Sequence, residues 1–192
     1  MLEENSHFKQ IIMKKIAISI LYFGLLGLST SIALIPSDHF IVSEKGHSIE
    51  FKSKDPSGSF DKIKGEFDLD ENNISSSKFY FKIDVNSINT GNGMMNKKSQ
   101  TEEWFDAKKY PDIRFKSTKV EKKENELAIT GDLTIKGITK TYTVPTSYTI
   151  TADKITLKGK FNVNRIEFKV GKKSGAVPDI MKVSFVVPAE KK

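Results

Sequence analysis

The stretch ELAITGDLTIKG (Glu126–Gly137) alternates apolar and polar residues with a period of two, the pattern of a β-strand with one buried face. Its apolar residues share one parity, and Gly131 occupies the centre of that apolar face. A glycine inside a strand costs roughly 0.5–1 kcal/mol relative to alanine and adds no side chain to a core. The empty position therefore needs a structural or a functional reason.

The same gap recurs in two other strands, at Gly65 of IKGEFDL (Ile63–Leu69) and at Gly159 of LKGKFNV (Leu157–Val163). Inward glycines remove volume from the interior of a barrel, so Gly65, Gly131 and Gly159 are candidate positions of a cavity for an apolar ligand. The alternative is structural, because glycine also permits the sharp bends with which strands close into a barrel. The residues alone leave both interpretations open.

Alternating stretches continue along the chain and are separated by turn signals such as Asp55–Gly58 and Glu124-Asn125. This spacing is typical of antiparallel hairpins and predicts an all-β meander or barrel of about eight strands. One segment breaks the pattern, because Ser99–Glu102 is a capping-box sequence. It predicts a short helix over 101–108 that ends before Pro111.

The first thirty-odd residues have the organisation of an export signal. Lys14-Lys15 precede the apolar run Ile16–Leu34, and Ser31–Ala33 supplies the small residues of a cleavage site. We therefore expect a signal peptide at residues 1–33, followed by one mature domain at 34–192. The alternative is an uncleaved membrane anchor, because the run is just long enough to span a bilayer. Cleavage would deliver the protein to the periplasm or outside the cell.

The cysteine content limits the covalent features of the protein, and the charge pattern limits the partners that its surface would bind. The formal net charge is +7, and the chain contains no cysteine, which excludes a disulfide framework and a lipidated cysteine. The lysines alternate with apolar residues along the strands, which favours a solvated outer face over a nucleic-acid site. One functional hypothesis is therefore a stress-response or interaction protein, with a filled barrel whose basic surface binds an anionic partner.

The apolar face of the strands is rich in phenylalanine, which indicates a barrel with an apolar interior. An outer-membrane barrel would place apolar residues outward, and the dense rows of lysine do not favour that orientation. A cavity lined in this way suits a hydrocarbon chain, because each buried methylene contributes about 0.8 kcal/mol. Polar side chains at the mouth would orient a head group, and the candidates are His47, Arg165 and Lys169.

Nothing in the sequence predicts catalysis, a metal site or a cofactor. After the leader, histidine occurs only as His39 and His47. His47 and Ser48 are neighbours on a strand and face opposite sides, so they do not form a nucleophile–base pair. The acidic stretch Asp68–Asn72 lacks the glycine and the distal glutamate of a calcium loop. We therefore expect a binding protein that is not an enzyme.

Six segments together resemble one protein family. They occur in order along the chain: HSIEF (His47–Phe51), GSFDKIKGEFDLD (Gly58–Asp70), INTG (Ile88–Gly91), WFDAKKYPDIRFKSTKV (Trp104–Val120), GDLTIKGITKTYTVP (Gly131–Pro145) and NRIEF (Asn164–Phe168). Over almost the whole mature chain this order is similar to that of the YceI family of bacterial periplasmic or secreted polyisoprenoid-binding proteins.

The resemblance implies an eight-stranded antiparallel, lipocalin-like barrel with a short helix near its mouth. It also implies an isoprenoid or other long-chain lipid, such as a polyprenyl phosphate or a quinone-like lipid, held in a hollow interior for carriage, storage or sequestration. Peripheral contact with a membrane, and a monomer or dimer, are compatible with this function. The matching cavity candidates are Phe51, Phe67, Phe81, Phe115, Leu133 and Phe161, with Trp104 and Phe105 near the mouth.

Two departures from the family pattern concern the mouth. Many members carry an Arg-Asp and a His-Leu pair after the Thr-Gly step, whereas this chain reads GMMNKKSQ (Gly93–Gln100). The usual Asn-Arg-x-x-Phe-Gly is followed only in part, because Lys169 stands in the place of the glycine. The site for the polar end of a ligand is therefore expected to differ from that of other members.

Overall fold

The computed structural model describes residues 37–54 and 56–192, so the predicted signal peptide lies outside the described residues. The described chain forms one antiparallel sheet, closed on itself. Its strands are β1 (Asp38–Val42), β2 (Ser48–Lys52), β3 (Ser57–Phe60), β4 (Ile63–Leu69), β5 (Lys78–Asp84), β6 (Ile88–Asn89), β7 (Asp112–Lys123), β8 (Glu126–Ile135), β9 (Ile138–Thr151), β10 (Lys154–Asn164) and β11 (Ile180–Lys191).

These eleven elements form eight long barrel strands. Three of the eight are interrupted, and each of those three appears as two elements. β1 and β2 both pair with β11, while β4 and β3 pair with β1 and β2 respectively. β5 and β6 continue the third interrupted strand along β4 and β3. The β1–β11 pairing closes the ring. The prediction of an eight-stranded antiparallel barrel is confirmed.

Alternating burial shows why these segments form strands of a barrel. Along β8 the residues of one parity are buried and those of the other are half-buried or exposed. Apolar side chains thus point into the barrel, and lysine and threonine cover its outer face. The described helices include none that is long and apolar enough to cross a membrane.

One α-helix, α1, occurs among the described residues; it spans Gly93–Ser99 and precedes the segment where the capping box predicts a helix. Its start is fixed by the Asn92 side chain, which accepts hydrogen bonds from the backbone amides of Met94 (2.9 Å) and Met95 (3.3 Å). Ser99 is not an N-cap, because its hydroxyl donates back to the Met95 carbonyl (2.9 Å). The predicted helix over 101–108 is therefore wrong, and successive turns occupy that segment.

The two ends of the barrel differ in their connections. One end, which we call the helix end, carries α1, the β8–β9 turn and the long connection 165–179. The other, the terminal end, carries the start of β1, the end of β11 and the hairpin turns after β7 and β9. At the helix end β6 pairs only with β3 among the described strands, and the segment 90–111 lies between β6 and β7. We call this interruption of the sheet the seam.

The terminal end is filled with side chains. Phe67 lies between Phe40 and Phe79, with ring centroids 5.2 Å from each, and both contacts are stacked. Stacked aromatic pairs of this kind contribute beyond their buried area. We call this region the packed half; its residues are at most 2% exposed and include Phe40, Phe67, Phe79, Val120, Leu127, Ile155 and Ala189.

The inward glycines are covered by phenyl rings, so the idea that they keep the interior vacant is wrong. Gly65 pairs directly with Phe81, and a Cβ at Gly65 would lie 2.6 Å from that ring. The ring of Phe185 covers Gly159 in the same way. Phe115 covers Gly131, and Phe51 covers Gly58. Each glycine gives a neighbouring aromatic ring room to lie across its strand, an arrangement that also pins strand register.

Candidate ligand-binding site

The barrel is nonetheless hollow at the helix end. A cavity of about 370 Å³ lies there, within the range of small-molecule sites. A smaller cavity of about 100 Å³ lies deeper. We call this region the hollow half. The two cavities share part of their walls, namely Ile49, Ile83, Ile113, Leu133, Phe161 and Val183.

Eight of the twelve candidate residues line these cavities. The larger cavity is bordered by Phe51, Trp104, Phe105, Leu133, Phe161 and Arg165. The smaller cavity is bordered by Phe81, Phe115, Leu133 and Phe161. The other four candidates line neither of them. Gly65, Gly131 and Gly159 lie beneath aromatic rings, and Phe67 belongs to the stack of the packed half.

Sequence reasoning missed a large part of the wall. Ile49, Ile113 and Val183 have the inward parity of their strands and could have been found by extending the alternation from Phe51, Phe115 and Phe185. No sequence pattern pointed to Met95 as a wall residue. It lies on α1, and the capping box predicts a helix that begins eight residues later than α1 does.

Arg165 is buried, and its guanidinium is fully engaged in hydrogen bonds. Only 4% of the residue is accessible to solvent. Its Nε and Nη atoms donate to the carbonyl oxygens of Pro178 (2.9 Å), Val170 (2.8 Å), Lys172 (3.1 Å) and Val177 (2.8 Å), and to the Asp179 carboxylate (3.4 Å). A guanidinium has five N–H donors, so none is left for a head group. Arg165 holds the 165–179 connection against the mouth of the cavity.

Lys136 makes a second set of contacts of this kind at the helix end. Its ammonium donates to the carbonyl oxygens of Glu102 (2.7 Å), Glu103 (3.4 Å) and Lys169 (2.8 Å). The β8–β9 turn is thereby tied to both segments that surround the mouth. The charged group stabilises carbonyls that strand pairing does not satisfy.

Two other head-group candidates lie outside the cavity wall. His47 Nε2 is 3.1 Å from the carbonyl oxygen of Asp61, and His47 lines neither cavity. The backbone of Lys169 has a left-handed conformation (φ 54°), and its carbonyl oxygen accepts a hydrogen bond from the Lys136 ammonium. The structure therefore gives neither side chain a place at the cavity wall.

Trp104 and Lys98 bring polar groups to the mouth of the larger cavity. Both residues line it, and the Lys98 ammonium lies 5.9 Å from the centroid of the indole. The Arg165 guanidinium lies 5.7 Å from the same centroid. The indole Nε1 is buried and has no hydrogen-bond partner among the described residues. A buried donor without an acceptor is rare enough to call for an explanation.

The described residues show no arrangement suited to a metal ion. Within 37–54 and 56–192, no group of three or more histidine, aspartate or glutamate side chains has an arrangement that could hold a metal ion.

Two sequence relatives show how far the similarity extends. A UPF0312 protein of Vibrio parahaemolyticus is 36% identical over 113 residues, which cover 58% of this chain and 57% of that protein. Protein YceI of Salmonella arizonae is 38% identical over 87 residues, which cover 45% of this chain and 46% of that protein. The aligned region thus spans about half the length of each of these relatives.

Solved structures share the barrel. The crystal structure of BcnA from Burkholderia cenocepacia has a TM-score of 0.73 at 28% identity and covers 77% of this chain and 98% of that one. A Campylobacter jejuni YceI protein gives 0.65 at 26% identity and covers 73% and 88%. A polyisoprenoid binding domain from Saccharophagus degradans gives 0.61 at 13% identity and covers 80% and 98%, a likeness of fold alone.

The YceI-like domain matches residues 36–189, which include nearly all the described residues. That range contains the strands of the barrel, except for the last two residues of β11, and both connections around the mouth. The chain therefore belongs to the YceI-like family.

Proposed function

We propose that this protein binds a long-chain isoprenoid or similar lipid in its hollow half and carries, stores or sequesters it without chemical change. The observation that carries the proposal is the apolar cavity of about 370 Å³ that lies beside a packed core of the same barrel. Polyprenyl phosphates and quinone-like lipids are the ligand classes that we propose. The Saccharophagus degradans domain, which is described as polyisoprenoid-binding, supports this choice through its fold.

Burial of hydrocarbon would supply the main favourable term in binding such a ligand. Eight methylene groups transferred from water into an apolar site contribute about 6 kcal/mol before the cost of immobilising the chain. The wall is formed by aliphatic and aromatic side chains such as Ile83, Ile113 and Phe161. A wall of this kind favours an apolar chain, and it does not require that chain to have a particular chemical structure.

The competing hypothesis, a filled barrel that acts through its basic surface, does not fit the observed interior. Cavities lie where that hypothesis requires packed side chains. A protein that acts through its basic outer face is the alternative function if the cavity holds no ligand, and lipid extraction tests that condition.

We also propose that α1 touches a membrane while a lipid is loaded. Met94 is 80% exposed, whereas its neighbour Met95 lines the cavity, so one short helix borders both solvent and the interior. The formal net charge of +7 would favour an anionic surface. In flotation assays with anionic vesicles, Met94→Ser should lower bound protein several-fold, and an unchanged bound fraction would contradict this contact.

The main test is the content of the cavity. Protein purified from its native host is extracted with organic solvent, and the extract is analysed by mass spectrometry, with Val183→Phe as the control that fills the cavity. We expect an isoprenoid or other long-chain lipid with the wild type and at least tenfold less with the variant. Absence of lipid, together with no uptake of polyprenyl or quinone analogues, would overturn the proposal.

Export is a further part of the proposal. A signal peptide cut after Ala33 would give a mature chain that begins at Leu34. N-terminal sequencing of protein recovered from the periplasm and the medium checks this expectation, and an intact leader in both fractions would contradict it.

A further inference from the structure

Polar groups are scarce in the larger cavity, and most of them are already engaged. Arg165 uses all its donors on carbonyl and carboxylate oxygens of the 165–179 connection. The Thr90 hydroxyl contacts the Asn96 side chain (2.7 Å), and the Ser99 hydroxyl donates to Met95 (2.9 Å). Among the donors that line this cavity within the described chain, those of Lys98 and Trp104 have no hydrogen-bond partner.

The Trp104 indole lacks an acceptor although its Nε1 is shielded from solvent. A donor that is buried and unpaired destabilises the protein, and an oxygen atom of a ligand would remove that cost. Trp104 is held in place, because a Cβ at Gly171 would lie 2.9 Å from the indole ring and the Arg165 guanidinium lies over it. The ring is thus a fixed part of the cavity wall.

Lys98 supplies a positive charge at the same place. Its ammonium lies 5.9 Å from the indole centroid and forms no ion pair with a described residue. An ammonium recognises an oxyanion as a compact charge with three rotatable donors. Lys98 belongs to the segment Gly93–Gln100, where the sequence departs from the pattern of many family members.

We propose that Lys98 and Trp104 form a head-group site for a carboxylate or phosphate carried by an amphiphile whose chain lies in the cavity. This inference rests on the proposed lipid-binding function and narrows it to anionic, single-headed lipids. The chain runs inward past Phe161, and the oxyanion stays at the mouth, where Lys98 reaches solvent. Neutral lipids of the same chain length bind more weakly because they leave the ammonium without a counter-charge.

The test uses three ligands that share one chain: farnesyl phosphate, the corresponding carboxylic acid and farnesol. Displacement of a fluorescent lipid probe from the full mature chain measures each affinity, at low and at high salt. We expect the wild type to bind both anions at least tenfold more tightly than farnesol, with the difference shrinking at high salt. A preference between the two anions identifies phosphate or carboxylate as the better head group.

Three variants assign the effect to residues. Lys98→Met should abolish the preference for anions and leave the affinity for farnesol within twofold. Trp104→Phe, which retains an aromatic ring but removes the N–H, should weaken anion binding about tenfold. Lys97→Met is the matched control, because Lys97 lies on the same helix and does not line the cavity; it should retain the preference. Trp104 is the single tryptophan, so its emission should shift when an anion binds to the wild type.

The possible failures are distinguishable. Equal binding of all three ligands would overturn the head-group site and leave the lipid-binding function intact. Equal effects of Lys97→Met and Lys98→Met would also overturn it. They would indicate that any positive charge on α1 favours anionic ligands, whether or not it lies at the cavity. Failure of all three ligands to bind would overturn both the head-group site and the proposed function.

Discussion

The packed half and the hollow half are built from the same eight strands, yet one is solid and the other encloses a cavity. At the terminal end, Phe40, Phe67 and Phe79 stack across neighbouring strands and fill the barrel. At the helix end, inward residues such as Ile113 and Phe161 border empty space. Both halves have the same apolar alternation. The difference teaches that a period-two pattern specifies which side chains point into the barrel. Whether those side chains fill the interior depends on their volumes and on which residues face them across the barrel.

The largest expected effect is a difference in the free energy of unfolding between two Phe→Ala variants. Phe67→Ala removes the middle ring of the stack and should cost about 3–5 kcal/mol. Phe161→Ala should cost less than half as much, because the ring already borders the cavities. Urea denaturation followed by circular dichroism measures both. Equal costs would show that the hollow half is packed in solution.

The second comparison adds volume instead of removing it. Val120→Phe places a larger side chain where the native residue is 1% exposed, and should cost about 1–3 kcal/mol. Val183→Phe points into both cavities and should leave stability nearly unchanged while weakening lipid binding at least tenfold. Denaturation and probe displacement on both variants check these outcomes. A lipid affinity that survives Val183→Phe would separate the binding site from the cavity.

The smallest of these effects concerns the glycines beneath aromatic rings. In Gly159→Ala the new Cβ would meet the backbone carbonyl oxygen of Pro145 and would lie 2.5 Å from Cζ of Phe185, and we expect a loss of stability of about 1–2 kcal/mol. Lipid affinity should not change, because Gly159 lines neither cavity. A double variant with Phe185→Leu should recover part of the stability. Weakened lipid binding in Gly159→Ala, with stability unchanged, would restore the view that this glycine makes room for the ligand.

The strands and the apolar interior were predictable because both follow from local alternation. The covering of the glycines was not, since it depends on register: Gly159 faces Phe185 only once β10 and β11 are paired. Arg165 was predicted to orient a head group, but its donors bind loop oxygens instead, and no local pattern reveals where loop carbonyls point. The helix was misplaced because Asn92 and Ser99 both offer capping side chains, and Asn92 is the one that caps.

The seam has a consequence for how a lipid enters. Sheet hydrogen bonding between the third and fourth long strands stops where the Val85 amide meets the Pro111 carbonyl (2.8 Å), and beyond it the wall is formed by the segment 90–111. The segment 90–111 can therefore separate from the adjacent strands without disrupting the β-ladder. We expect a polyprenyl tail longer than the cavity to enter sideways and to trail through the opening that this separation creates. Because the chain has no cysteine, a disulfide introduced between β6 and α1 would block such threading and slow uptake.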